Sequence, residues 1–426
     1  MAVKPLHVAI VGYGTAGQAA AVLLSRDGHK VEVFEQSSEL GPVGAGVLLQ
    51  PVGMQVLWEM GLLGEALAHG RRIDRLHGET GSGGTVMDMC YVKLDRRMSG
   101  LGMQRGALFS ILAGALDDTV PVHCGHRIIK IDDAGRCIQD AAGKMHGPFD
   151  LVAAADGSAS GLRHGVGRAR MDRPYPWGAL WCLVEGRDWP YPHELRQRYS
   201  KARKMIGMLP VGTRPGDATE RISFFWSLPT AVFDSWASSG VSSWLEEVRT
   251  LWPAAYPRIE HVQDSGRLSR ASYRDAIPAR WYRDRLVLLG DSAHAMSPQL
   301  GQGVNMALLD AHALRDSLRR CASIEAALEH YAQSRRTHVS AYQFWSRWLT
   351  PVFQSERDLV AALRDMAFHP LGRIWGLRTL MLRVLSGTQH GMFGKLVLPD
   401  AFLDELARIG GHELRTAALD SFVELN

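Results

Sequence analysis

Three glycines and one acidic residue near the start of the chain carry the first chemical signal. Gly12-Tyr13-Gly14-Thr15-Ala16-Gly17 follows a short apolar run at 6–11 and opens a small-residue segment of helical character from about Thr15 to Arg26. A second strand, Lys30 to Glu35, comes next. A turn so placed cradles a dinucleotide. One glycine permits the tight turn, one lets the backbone approach a pyrophosphate, and one lets helix and strand pack closely; the helix start supplies N–H donors and partial positive charge. Glu35, with Gln36 beside it, closes the second strand about 20 residues on, where a carboxylate accepts from a ribose diol. A glycine turn that binds nothing would account for the glycines but not for Glu35. The turn alone leaves FAD and a nicotinamide dinucleotide equally open.

Two further constellations lie at 289–305, LGDSAHAMSPQLGQGVN, and at Asp150 to Ser158, which contains Asp156-Gly157, with Arg163 just after. With these the sequence resembles the FAD-dependent aromatic-ring monooxygenases of the para-hydroxybenzoate hydroxylase family, single-component flavoprotein hydroxylases, over about residues 6 to 390. The resemblance implies FAD as the cofactor. It implies that Asp291 holds the ribityl chain and that Asp156 belongs to the family's middle motif, which also bears on the nicotinamide. A short carboxylate at Asp291 suits a ribityl hydroxyl. Pro298, Gly301 and Gly303 let backbone approach the isoalloxazine ring, and the helix beginning near Gly303 directs its positive end at the ring. Val304 and Asn305 lie in that helix's first turn, and Asn305 is expected to face the flavin's carbonyl edge. Gln104-Arg105 matches a family position where an Arg contacts the flavin's linker region, and Gly44 to Val47, with Gly46 and Val47, resembles the loop beside the ring. The same resemblance places His294 behind the flavin, as a packed structural histidine rather than a base; no catalytic residue is assigned.

The elements that must position these residues follow from the same reading. Strand, helix and strand within about 30 residues make a βαβ unit, hence a parallel sheet. Between 170 and 280 short aromatic runs alternate with Pro/Gly turns, a largely antiparallel sheet with a helix near 241–252. Trp181, Phe224, Phe225 and Trp226 alternate faces there, so only some can line a pocket. A buried strand returns at Arg285 to Leu289, a long helix runs from about Gly303 to Arg320, and helical periodicity dominates from Ile324, with turn signals at Pro351, Pro370 and Gly372. The expected fold is α/β, α+β overall. A Rossmann-like FAD-binding domain takes 1–75, 100–170 and 270–385, an inserted substrate sheet takes 76–99 and 171–269, and a helical tail takes 386–426.

The 426 residues carry a formal net charge of +4 and 46% hydrophobic residues, which suits a multi-part globular enzyme and not a disordered chain. No Lys/Arg block argues for nucleic acid, no apolar stretch spans a bilayer, and the opening residues leave no room for a signal peptide, so a cytoplasmic enzyme is expected. Five scattered cysteines are read as free thiols, with no metal expected. No Trp-x-Trp-x-Ile-Pro segment supports a halogenase, and no cysteine pair near the first helix supports a disulfide reductase. The expected reaction, implied by the resemblance, is hydroxylation of a small aromatic substrate. NAD(P)H, bound transiently as co-substrate, reduces FAD, and O2 then forms a flavin C4a-hydroperoxide that delivers one oxygen atom. A dehydrogenase or reductase on the same scaffold is the alternative. Oligomeric state is left open.

Overall fold

Strands that are apolar at nearly every position must be covered on both faces, and the chain supplies three of them to one sheet. In the computed structural model, which describes residues 3–41, 44–238, 240–262 and 264–410, this sheet has six strands. Their spatial order is Tyr282–Arg283, Leu286–Leu288, Leu151–Ala154, His7–Val11, Lys30–Phe34 and Val122–His123. All neighbours are parallel except the first pair. The helix Thr15–Arg26 is buried from Ala16 to Leu24. Its alanines let it lie close against the helix Gly303–Arg320, the returning element.

A second sheet of seven strands has the order Ser269–Pro278, Ala169–Glu185, Asp217–Pro229, Lys204–Arg214, Glu194–Ser200, Arg75–Thr80 and Thr85–Cys90. It is antiparallel except where Glu194–Ser200 pairs with Arg75–Thr80. Side-chain alternation gives it two different faces. Leu180, Cys182, Val184, Phe224 and Trp226 form a separate core with Trp244 and Val248 of the helix Ser242–Leu251. Phe225 and Trp181 face the other way, into the main core. A small sheet of Gly46–Leu49, Gly100–Gln104 and Arg71–Ile73 lies between the two large ones.

The C-terminal section contains helices Ile324–Phe353, Asp358–Arg373 and Trp375–Ser386, then a short hairpin and the helix Asp400–Ile409. Pro351, Pro370 and Gly372, expected to mark turns, lie inside the first two helices instead. Each proline falls in a last turn, where its missing N–H removes one bond and packing outweighs the loss. The part of the tail at 411–426 lies outside the described residues. Among the described residues no helix is long and apolar enough to cross a membrane.

One buried network ties these layers together. Asp310, fully buried on the returning helix, accepts at Oδ2 from the Gly290 N–H at 2.8 Å and from His294 Nε2 at 2.5 Å. At Oδ1 it accepts from Arg335 Nε at 2.7 Å. Arg335 also donates to Nδ1 of His338 at 2.8 Å, and Nε2 of His338 donates to the Gly387 carbonyl at 2.8 Å. Burial raises the Asp310 carboxyl, but His294 and Arg335 outweigh it and hold the group down to about 2. Burial, reinforced by Arg335, pushes His338 down to about 3.

His338 is therefore neutral in the folded protein, while an unfolded histidine titrates near 6.5. The unfolded state binds more protons throughout that window, so stability falls as pH drops below about 6.5. At about 1.4 kcal/mol per pH unit, the contribution lost by pH 5 is about 2 kcal/mol. His338→Gln keeps a donor for Gly387 but does not titrate. Urea unfolding at pH 7 and pH 5 is expected to show a smaller acid loss in this variant than in the wild type, by about that amount; equal losses would remove His338 from the account.

Candidate active site

The glycine turn is built by backbone contact. Gly12 has φ +102°, and a Cβ there would stand 2.3 Å from the Ala155 carbonyl oxygen, so a side chain would drive apart the two central strands. A Cβ on Gly17 would lie 1.9 Å from the Gly12 carbonyl oxygen. At Gly14, by contrast, a Cβ would meet nothing within 4 Å. The helix beyond it, starting Thr15-Ala16, has neither a capping side chain nor an acidic residue in its first turn. Its N–H groups therefore point into open space, ready for an anion. Glu35 stands just past the end of its strand. Its Oε2 accepts from the Tyr13 N–H at 2.8 Å and its Oε1 from the Ser37 N–H at 2.9 Å, so it braces the turn as well as facing the cleft. Gln36 is exposed.

The two later constellations meet this turn at the same end of the sheet. A Cβ on Gly290 (φ +60°) would lie 3.0 Å from Ala16 Cβ, which sets the 290–291 turn against the first helix. Asp291 opens the short helix Asp291–His294; it is exposed, and its Oδ1 faces Gly303. Gly301 (φ +61°) and Gly157 (φ +81°) both border open space. The helix Gly303–Arg320 is, like the first, uncapped and without an acid in its first turn; Gly303 is exposed, and Pro298 and Val304 are half-buried. Asp156 lies at the tip of the neighbouring strand. Its Oδ1 is buried with no partner in the protein, and burial raises its pKa.

Arg163, named in the sequence only as a neighbour of the middle motif, joins the two constellations. It is 1% exposed. Nε donates to the Ser292 carbonyl at 2.7 Å, and Nη2 to the carbonyls of Ser158 at 2.9 Å and Asp291 at 3.0 Å; Nη1 pairs with Asp172. His294 is 1% exposed, and its Nε2 is taken up by Asp310.

Arg105 opens the helix Arg105–Gly114, is exposed, and lies over Gly44, whose Cβ would meet Arg105 Cδ at 3.0 Å. Gly46 and Val47 begin the strand beside it, and a Cβ on Gly46 would stand 2.5 Å from Ser223 Cβ of the large antiparallel sheet. Asn305 departs from expectation. Its side chain is fully buried and engaged by protein: Oδ1 accepts from the Gln50 N–H at 2.8 Å, and Nδ2 donates toward the Gly301 and Leu48 carbonyls at 3.2 and 3.3 Å. It holds the strand Gly46–Leu49 to the returning helix, with both its side-chain oxygen and nitrogen taken up by protein.

Of the four middle-sheet aromatics, only Trp181 and Phe225 face the main core. Their rings lie 4.9 Å apart, and Trp181 Nε1 donates to the Tyr273 hydroxyl at 3.2 Å. Alternation made the split foreseeable, but which pair points inward depends on where the helix Ser242–Leu251 docks.

Two open helix starts, an acidic residue past the second strand and an unpartnered carboxylate at one sheet end define a dinucleotide-binding flavoprotein fold. A family model described as the FAD binding domain matches residues 5–345, and the chain belongs to this family of FAD-dependent aromatic monooxygenases. The 6-hydroxynicotinate 3-monooxygenase of Pseudomonas fluorescens is 26% identical over 354 residues, covering 79% of this chain and 89% of the relative. The FAD-dependent urate hydroxylase of Klebsiella pneumoniae is 27% identical over 351 residues, with 78% and 86% covered. Among solved structures, pqsL, a probable FAD-dependent monooxygenase from Pseudomonas aeruginosa, shares the fold with a TM-score of 0.72 at 24% identity, covering 85% of this chain and 100% of that one. Klebsiella pneumoniae HpxO complexed with FAD and uric acid has a TM-score of 0.73 at 21% identity, with 88% and 97% covered.

Asp291 and His294 stand three residues apart with opposite surroundings, and their alanine variants are expected to separate. A charge-assisted hydrogen bond contributes about 1.5–3 kcal/mol, so Asp291→Ala should weaken FAD binding roughly 10- to 150-fold. His294→Ala removes a partner of Asp310; it should lower the unfolding midpoint and leave FAD affinity within several-fold. Flavin titration of the two apoproteins decides, and the reverse ranking would overturn both assignments.

Proposed function

We propose that this FAD-dependent monooxygenase takes NAD(P)H and O2 and hydroxylates a small aromatic or N-heteroaromatic substrate lying against Trp181, Phe225 and Tyr273. The carrying observation is the sidedness of the middle sheet. Its inward aromatic pair faces the main core, and the same sheet touches the strand that begins at Gly46. The substrate class is supported by relatives named for 6-hydroxynicotinate and urate.

In this reading the helix start at Gly14, Thr15 and Ala16 takes the pyrophosphate, and Glu35 with Gln36 takes the adenosine ribose. Arg105 takes the linker region and Asp291 the ribityl chain. Gly46, Val47, Pro298, Gly301, Gly303 and Val304 border the ring. The segments 1–75, 100–170 and 270–385 then act as the cofactor-binding domain, and 76–99 with 171–269 as the substrate-bearing sheet. Bound FAD, once reduced, supplies the activation of O2. The chain's own task is to hold, orient and keep dry. The unpartnered Asp156 Oδ1 waits for a hydroxyl or amide of a bound ligand. Tyr273 accepts from Trp181, and burial raises its pKa, so at neutral pH it offers a proton as donor and does not act as a base. Trp181 and Phe225 offer stacking surface for a planar ring.

The reaction is tested by supplying candidate aromatic acids and N-heterocycles with NAD(P)H under 18O2. One labelled oxygen per product and one nicotinamide consumed are expected. Equal product formation without O2 on an artificial electron acceptor, with no label, would assign the protein to dehydrogenation. For the accepted substrate, Trp181→Ala removes a contact of about 1–2 kcal/mol, so KM should rise roughly 5- to 30-fold with flavin content unchanged. An unaltered KM would move the substrate off this face.

A further inference from the structure

At the free edge of the six-stranded sheet, histidines gather around one carboxylate that the FAD assignment does not use. His123 ends the edge strand, stacks on Phe34 at 4.7 Å and meets Glu32 through Nε2 at 3.2 Å. His126 follows in the next turn, and the paired strands Ile138–Asp140 and Met145–His146 bring Asp140 and His146 up to it. Nδ1 of His126 stands 3.0 Å and Nε2 of His146 stands 2.9 Å from the same oxygen, Asp140 Oδ2. All three ligand atoms lie within 4.8 Å of one another.

The carboxylate cannot swing away. Its Oδ1 accepts the N–H groups of Ala142 at 3.0 Å and Lys144 at 2.9 Å, which turns Oδ2 toward the two imidazoles, and the residue is 3% exposed. The His126 turn is pinned as well, because the N–H of His126 donates to the Glu35 carbonyl at 2.8 Å and that of Gly125 to the Ser37 carbonyl at 2.8 Å. Ligands about 2.0–2.1 Å from a tetrahedral zinc ion stand about 3.3 Å apart. The two nitrogen–oxygen separations are within tenths of an ångström of that spacing, and rotation of the half-buried His126 ring closes the wider gap between the nitrogens. The His126 side chain is 30% exposed, so the cluster is open to solvent on that side.

We propose that His126, Asp140 and His146 bind one divalent transition-metal ion, zinc by donor set, with water as the fourth ligand. Two imidazoles and a carboxylate suit zinc over calcium or magnesium. Binding uses the imidazole lone pairs facing Asp140, with ring protons on the opposite nitrogens or released to solvent. The ion clips the paired strands Ile138–Asp140 and Met145–His146 to the turn after Glu35. It has no part in the flavin reaction. The expectation of no metal rested on cysteine spacing; the ligands here are 14 and 6 residues from Asp140, in a pattern no short motif covers.

The test uses the tag-free holoenzyme, stripped with a chelator, dialysed, and titrated with zinc chloride by calorimetry, with bound metal measured by mass spectrometry. One zinc per chain with micromolar or tighter affinity is expected. His126→Ala combined with His146→Ala should weaken binding roughly 100-fold with flavin absorbance unchanged, and zinc should raise the unfolding midpoint of the wild type but not of this variant. His261→Ala, at an exposed histidine elsewhere, should bind as the wild type does. If the double variant does not fold, His126→Asn alone gives the same reading. A wild type that takes up no zinc at micromolar free metal, or a variant that binds it undiminished, overturns the site and leaves a hydrogen-bonded cluster of two imidazoles on a carboxylate.

Discussion

The second half of the candidate active site depends on one buried carboxylate. Asp310 has no solvent contact and collects a backbone N–H and an imidazole from the 290–294 turn and a guanidinium from the helix Ile324–Phe353. A buried charge is tolerated only when such donors surround it. The Gly290 N–H it holds belongs to the turn that presents Asp291, and the guanidinium it holds comes from the long helix Ile324–Phe353. Moving the carboxylate would leave Arg335 uncompensated and free the turn. The position of Asp291 in the cleft is thus set from beneath, by a residue that never faces it.

Above that network the geometry is set by the absence of side chains. Gly12, Gly17 and Gly290 stand where a Cβ would overlap backbone or crowd a neighbouring helix, so the first helix, the returning turn and the strand at Leu151–Ala154 meet at main-chain distance. Gly14, Gly157 and Gly301 do the opposite work, facing open space that a ligand can fill. Close packing on one side leaves two uncapped helix starts and the Asp156 carboxylate at the same end of the sheet.

Local signals were legible where local physics decides. The helices Thr15–Arg26 and Gly303–Arg320 have the bounds that their glycine-rich approaches and helical pattern predict, and the apolar runs at 7–11 and 286–288 are strands because nothing polar interrupts them. What escaped reading depends on partners far away in sequence. Asn305 resembles a ligand-facing residue until Gln50 and Leu48 are seen to occupy it. Arg163 gives no hint that it spans to Ser292, 129 positions on. Pro351 and Pro370 signal turns locally, yet sit in helices held by packing. The inward face of the middle sheet was foreseeable as an alternation but not as a choice of Trp181 and Phe225.

The central sheet is also assembled out of order. Strands at 7–11, 30–34 and 122–123 lie to one side of the strand at 151–154, and the strand at 286–288 joins on the other. Asp291 and the helix start at Gly303 arrive only with that last strand, after the whole middle sheet has been made. A chain leaving the ribosome can close its first βαβ unit early, but it carries an exposed apolar sheet edge until about 250 further residues have been added. Long-range closure of this kind is slow and leaves unpaired strands open to wrong partners. The cofactor-binding end of the sheet is therefore completed only when its last strand is in place.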